Sequence, residues 1–415
     1  MWLAAAIAGL LAALATLGFH WIIGLIEYAA TGHSGGLVAA ATALPPWRRI
    51  LVAAAGAIAA GLALFWGQRW AARGPAGAVH IDYIDAARKG QVVLNDRTTM
   101  ARSLSALLSV STGASIGREG PMVQLAAWFA SWVAQVLPFP AEQRSAILVC
   151  GIAAGIGSAY HAPIAGVVFV LELALGFLAR PAVAPVLIAA ATSSALIYWW
   201  AEPRPLYTMP PVQLLATNLW VAIAEGAICG GFGWLLLGML EYSRNAFARI
   251  ESAPLRMGLG GILVGLLSAA LPQVWGNGYS VVSQVLLGES GWQWVALILA
   301  AKVAATLISA GSGAIGGVFT PTLFVGATTG YVMSNLVGAV DPLLAGDARA
   351  MAVVGMAAVL AAVTHAPLMA IVMVLEMTNQ FQLTIPVMFA CAAAYAISTH
   401  FGARPLYGNP IEGHA

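Results

Sequence analysis

The chain has 415 residues, of which 60% are hydrophobic and 8% charged. A soluble domain carries about 25% charged residues, so this composition excludes a water-facing globular protein and points to lipid as the solvent. The net charge of +2 gives no basis for a nucleic-acid partner.

Taken in chain order, residues 1–26, 50–68, 145–171, 181–201, 205–224, 257–288, 303–340, 350–375 and 377–403 contain no Asp, Glu, Lys or Arg. A membrane helix needs about 20 apolar residues. Several runs are much longer, so each holds two helices or one bent element. More than about ten helical segments are expected, many of them tilted or incomplete. The first run has no basic leader and is too long for a signal peptide, which predicts a true span. Arg69, Arg73, Lys89, Arg97 and Arg102 fall between the second and third hydrophobic regions. The positive-inside rule puts that loop in the cytoplasm and the connection at 33–46 outside. Trp199, Trp200 and Trp292, near segment ends, read as interface anchors. Cys150, Cys229 and Cys391 lie in or beside apolar segments and read as small buried residues, with neither disulfide nor zinc spacing.

The chain also repeats itself. Residues 151–175, GIAAGIGSAYHAPIAGVVFVLELAL, return without a gap as residues 355–379, GMAAVLAAVTHAPLMAIVMVLEMTN. His161 matches His365, Pro163 matches Pro367 and Glu172 matches Glu376. Just upstream, STGASIGREGPMVQ at 111–124 is echoed by SAGSGAIGGVFTPTL at 309–323. Each half therefore runs from a Gly-rich break to a helix and then to a His-Ala-Pro helix. Repeats of this size mark transporter folds whose binding site lies where the halves meet. Sequence spacing alone leaves parallel and inverted halves equally open.

The Gly-rich breaks at 113–121 and 311–321 interrupt apolar regions. Non-helical backbone at membrane depth survives only where it is buried in protein or lines a watery cavity. Each break starts a helix, and a helix start leaves unpaired N–H groups and about half a positive charge. Two such starts aimed at one point would hold an anion without a lysine or arginine, and partial charges let the ion leave quickly.

The breaks also carry specific motifs. Gly117-Arg118-Glu119-Gly120-Pro121 resembles the gating motif of the CLC chloride channel and transporter family. Gly317-Val318-Phe319-Thr320-Pro321 is similar to that family's GxFxP motif, and Arg404-Pro405-Leu406-Tyr407 to its terminal segment with the pore tyrosine. The resemblance covers nearly the whole chain and is nearest a bacterial branch without C-terminal regulatory domains. It implies an all-α polytopic membrane protein with inverted repeats of tilted and broken helices. It also implies a homodimer with one pore per subunit in a bacterial inner membrane, carrying chloride and needing no cofactor, metal or catalytic group. The chain would form a single transmembrane domain, with halves at 1–205 and 206–407 and a tail at 408–415. Glu119 would be the gate, displaced when protonated. The amides of Val318 and Phe319 and the hydroxyl of Tyr407 would line the central anion site, with Gly117, Arg118, Gly120, Pro121, Gly317 and Pro321 shaping the pathway.

Two departures from the family pattern stand out. Nothing reads GSGIP. The nearest stretch by position is GPAGAVHI at 74–81, which puts Gly77 and Ala78 near the place of a serine that would touch the ion. Second, Glu172 is followed by Leu173 rather than by the internal glutamate of proton-coupled relatives. Leucine carries no proton, which favours a channel or loosely coupled carrier, with a tightly coupled chloride/proton antiporter as the alternative.

Other residues admit plainer roles. His161 and His365 read as helix-start or packing residues, because their symmetry argues against a unique chemical task. Lys302 would attract anions or pair with a buried carboxylate, and Glu225 and Glu376 would be structural hydrogen-bond partners. A rival from another class is an intramembrane serine protease using Ser312 and His365 as a dyad. The twin at His161, which has no matching role, counts against it.

Overall fold

The computed structural model describes residues 1–73, 82–174, 183–200, 204–212, 219–341 and 345–407. The first half comprises α1 (Trp2–Thr31), α2 (Leu37–Ala43), α3 (Pro46–Ala72), α4 (Tyr83–Arg88), α5 (Asp96–Ser111), α6 (Glu119–Val136), α7 (Ala141–Tyr160), α8 (Pro163–Phe169) and α9 (Val183–Trp200). The second comprises α10 (Leu219–Ala248), α11 (Ala253–Ala270), α12 (Tyr279–Leu287), α13 (Trp292–Gly311), α14 (Phe319–Val340), α15 (Ala348–Thr364), α16 (Pro367–Thr378) and α17 (Thr384–His400). Among the described residues every regular element is helical, and eight helices are long and apolar enough to cross a membrane. The expected tail at 408–415 lies outside the described residues.

Small residues set how closely these helices pack. A Cβ added to Gly326 on α14 would lie 2.2 Å from the carbonyl of Gly355 on α15, and one on Gly355 would lie 2.3 Å from the carbonyl of Gly326. The two backbones therefore touch, as small residues allow where helices associate in lipid. On the matching first-half pair, a Cβ on Gly151 of α7 would lie 2.8 Å from the carbonyl of Ala126 on α6. Cys150, Cys229 and Cys391 are free and buried, as expected. Trp199 and Trp200 are exposed, whereas Trp292 is half-buried against the core.

The repeat is visible as exchanged contacts. Glu172 accepts hydrogen bonds from the amides of Leu368 (3.2 Å) and Met369 (2.7 Å) at the start of α16. Glu376 accepts from Ile164 (3.1 Å) and Ala165 (2.7 Å) at the start of α8. Residue pairs that contact each other reciprocally are the signature of a two-fold relation. Each carboxylate supplies the anion that the other half's helix start favours, so Glu376 is a hydrogen-bond partner as its sequence context suggests. The histidines differ from expectation. His161 and His365 end α7 and α15 rather than start the next helices, and both sit at φ 55° in the left-handed region. Pro163 and Pro367 follow, and a proline at the first helical position starts α8 and α16.

Candidate functional site

The Gly-rich breaks meet back to back. α5 ends at Ser111 and α13 at Gly311, and the chain turns through Gly113 (φ 109°) and Gly313 (φ 90°). The amide of Gly117 donates to the carbonyl of Gly317 (2.7 Å), and the amide of Gly317 donates to that of Gly117 (2.8 Å). This antiparallel pairing satisfies backbone that would otherwise be orphaned at depth. Glu119 is then the first residue of α6 and Phe319 the first of α14. Two helix N-termini thus begin beside one point.

A cavity of about 20 Å³ lies at that point, lined by Glu119, Gly120, Gly317 and Phe319 with Tyr83, Tyr160 and Tyr407. Its apolar walls are Val123, Ile156, Phe169 and Met373. Such a volume holds about one water-sized particle. The Tyr160 ring lies 5.0 Å from the Phe319 ring, and the Tyr407 ring 5.8 Å from that of Phe169. The Tyr83 and Tyr407 hydroxyls interact with each other.

Two larger spaces lie near this cavity, one of them sharing Tyr83, Gly120, Gly317 and Tyr407 with it. One, of about 400 Å³, is lined by Gly120, Pro121, Gly317, Val318 and Tyr407 together with Asp82, Asp85, Arg102 and Arg244. The other, of about 920 Å³, is lined by Arg118, Trp275, Gly276, Asn277 and Glu27. Glu119 lines the small cavity and is bonded to Asn277 in the wall of the larger space. Its Oε1 accepts from Asn277 Nδ2 (2.8 Å), and its Oε2 is buried with no hydrogen-bond partner among the described residues. Pro321 is buried in the first turn of α14, where its missing N–H costs nothing.

Arg88 fixes the terminal segment. Its guanidinium donates to the carbonyls of Tyr407 (2.5 Å) and Leu173 (2.9 Å), while the amide of Leu406 donates to Val363 (2.9 Å). These bonds turn Tyr407 toward the cavity. Gly77 and Ala78 lie outside the described residues. Tyr83, Tyr160, Arg88 and Asn277 escaped the sequence reading, since none sits in a run that marks it as special. Tyr160 alone carried a signal, as the residue just before His161 in the repeat.

Two of the side-chain expectations need correction. Lys302 pairs with no carboxylate among the described residues; its Nζ donates to the carbonyls of Val274 (2.8 Å), Trp275 (3.3 Å) and Gly276. Glu225 is no hydrogen-bond partner, because neither of its oxygens is paired among the described residues. It faces Gly330 and Gly355, whose helical amides are already committed to their own ladders. The protease dyad does not assemble. Ser312 donates to the carbonyl of Ser309 (3.0 Å), and His365 Nε2 meets Ser398 Oγ (3.3 Å).

An all-helical membrane fold with a two-fold internal relation, broken helices meeting at a small polar cavity, and two larger spaces near it defines the class of anion channels and transporters. A family model described as "Voltage gated chloride channel" matches residues 60–399. The chain is 44% identical to a "Putative chloride channel protein ClcB-like" of Ralstonia nicotianae, over 98% of this chain and 96% of that one. It is 39% identical to "Voltage-gated ClC-type chloride channel ClcB" of Salmonella typhi, over 99% of each. Among solved structures, "a slow cyanobacterial Cl-/H+ antiporter" superposes with a TM-score of 0.84 at 22% identity, covering 98% of this chain and 95% of that one. "A CLC-type fluoride/proton antiporter" gives 0.75 at 24% identity, covering 96% and 95%. The chain belongs to the CLC family of chloride channels and transporters, with that family's fold of inverted repeats.

Proposed function

We propose that this protein passes chloride or a similar small anion between the two vestibules through the cavity at Phe319 and Tyr407, with Glu119 as the gate. The observation that carries this reading is the position of the Glu119 carboxylate, which lines a one-particle cavity at two helix N-termini and is bonded to Asn277 in the wall of the larger vestibule. A carboxylate there competes with anions for the same partial positive charge. Uncharged, it loses that attraction and yields the place. The amides at Val318 and Phe319 and the hydroxyls of Tyr407 and Tyr83 are the ion's donors, so a serine at the Gly77–Ala78 position is not needed for a polar cradle. Because α4 and α5 carry Arg88, Arg97 and Arg102, the vestibule bearing Asp82 and Arg102 faces the cytoplasm. The protein works as a homodimer in a bacterial inner membrane, in keeping with its bacterial relatives.

We favour a channel or a loosely coupled carrier. Leu173, which follows Glu172, is buried and carries no proton, and the relatives at 39% identity are named chloride channels. Coupled exchange is the second reading, favoured by the antiporter titles of the superposing structures. Purified protein in liposomes under opposed chloride and pH gradients separates the two. A reversal potential that follows chloride alone is expected; one that shifts with the pH gradient would establish coupling. Glu119→Ala is expected to remove the acid dependence of anion flux, and retention of that dependence would end the gate assignment.

A further inference from the structure

We infer that Asn277 is the latch of the gate: its side-chain amide holds the Glu119 carboxylate in the blocking position, and release of that bond accompanies opening. This inference rests on Glu119 being the gate.

The latch is built for a single orientation. Asn277 Oδ1 accepts from the amide of Tyr279 (3.2 Å), which leaves Nδ2 as the end that faces Glu119 Oε1 at 2.8 Å. Among the described residues it is the one hydrogen-bond partner of this carboxylate. The loop that carries it is itself anchored. Gly276 (φ 70°) and Gly278 (φ 94°) flank Asn277 in the left-handed region, where other residues are strained. The carbonyls just before it, on residues 274–276, converge on the buried Nζ of Lys302. The ring of Trp275 fills the space a Cβ at Gly113 would take, 2.5 Å away, which ties the loop to the break that precedes Glu119. Lys302 and Trp275 therefore act as positioning groups, through the loop rather than on the ion.

The other ionisable groups around Glu119 do not duplicate the bond. Tyr83, Tyr160 and Tyr407 line the cavity on its inner side. Arg118 lines the larger space with Asn277, and Tyr207, stacked on Tyr279, has no hydroxyl partner among the described residues. Asn277 is thus the uncharged donor that favours the blocking carboxylate over a displaced one.

The test is chloride efflux from liposomes across an acid-to-neutral range, for wild type, Asn277→Leu and Asn277→Asp, each repeated with Glu119→Ala. Loss of a charge-assisted bond changes an equilibrium by about tenfold or more. The midpoint of acid activation should therefore move toward neutral by about one pH unit in Asn277→Leu. Asn277→Asp keeps the acceptor for Tyr279, so it preserves the turn while removing the donor, and should shift at least as far. Asn277→Leu, which adds no charge, should have no effect when Glu119 is alanine. Curves that superpose on wild type, while Glu119→Ala abolishes acid dependence, would overturn the latch and leave the gate standing. An Asn277→Leu shift that persists without Glu119 would also overturn it. If Glu119→Ala itself keeps the acid dependence, the gate and the latch fall together.

Discussion

At Gly117 a single methyl group is enough to probe the site. A Cβ there would lie 2.2 Å from Glu119 Oε2 and 2.9 Å from the carbonyl of Gly317. The carboxylate is the end of a flexible side chain and can move; the carbonyl is held in the pairing between the breaks and cannot. Gly117→Ala is therefore expected to displace the Glu119 carboxylate and to cost about 1–3 kcal/mol by overpacking. Thermal unfolding in detergent together with the acid dependence of flux checks this, and a variant matching wild type in both would place the carboxylate elsewhere. Glu225 calls for the opposite outcome. It is fully buried, faces glycines and has no partner among the described residues. Glu225→Gln keeps the shape and loses no hydrogen bond, while a buried ionisable group without a partner is costly. Its unfolding temperature should equal or exceed that of wild type; a clear fall would reveal a partner contributed from outside the described residues.

Helix ends carry the next level of organisation. Glu172 and Glu376 each accept two amides from the other half's helix start, so they make equivalent contributions on opposite sides of the two-fold relation. Glu172→Leu and Glu376→Leu should each destabilise by about 2 kcal/mol, and the glutamine variants by less, since one acceptor oxygen survives. Chemical unfolding monitored by tryptophan fluorescence reads this, and a large inequality between the two would break the symmetry. The repeat was legible in the sequence because His-Ala-Pro and Leu-Glu recur in register. The exchange of the glutamates between halves was not, because nothing local to Glu376 says which helix start it meets. The same holds across the site. Glu119, Phe319 and Tyr407 stand in motifs that mark them, whereas Asn277, Arg88 and Tyr160 matter through partners distant in the chain. Lys302 reads in the sequence as attracting anions or pairing with a buried carboxylate, and Glu225 as a structural hydrogen-bond partner. Backbone carbonyls answer the first, and no partner among the described residues answers the second.

Across the whole molecule, charge is arranged by depth. No lysine or arginine lines the small cavity among the described residues, whereas Arg102 and Arg244 line one vestibule and Arg118 the other. Partial charges at helix starts act within about the first turn, so under the proposed function the narrow part would hold an ion weakly and locally. Full charges at the mouths act over longer distances and raise the local anion concentration. Asp82 and Asp85 share the vestibule with Arg102 and Arg244, so the net attraction there is small and depends on each cation. Salt distinguishes the two kinds of contribution. The Debye length falls from about 10 Å at 0.1 M to about 3 Å at 1 M. Arg244→Gln should lower unidirectional chloride flux severalfold at low ionic strength and return toward wild type as an impermeant salt is added. Phe319→Ala, which alters the cavity wall beside the helix start, should change flux and anion preference without that rescue. If salt fails to restore Arg244→Gln, the arginine acts by shape or contact rather than by field, and the division between steering mouth and dipolar cradle does not hold.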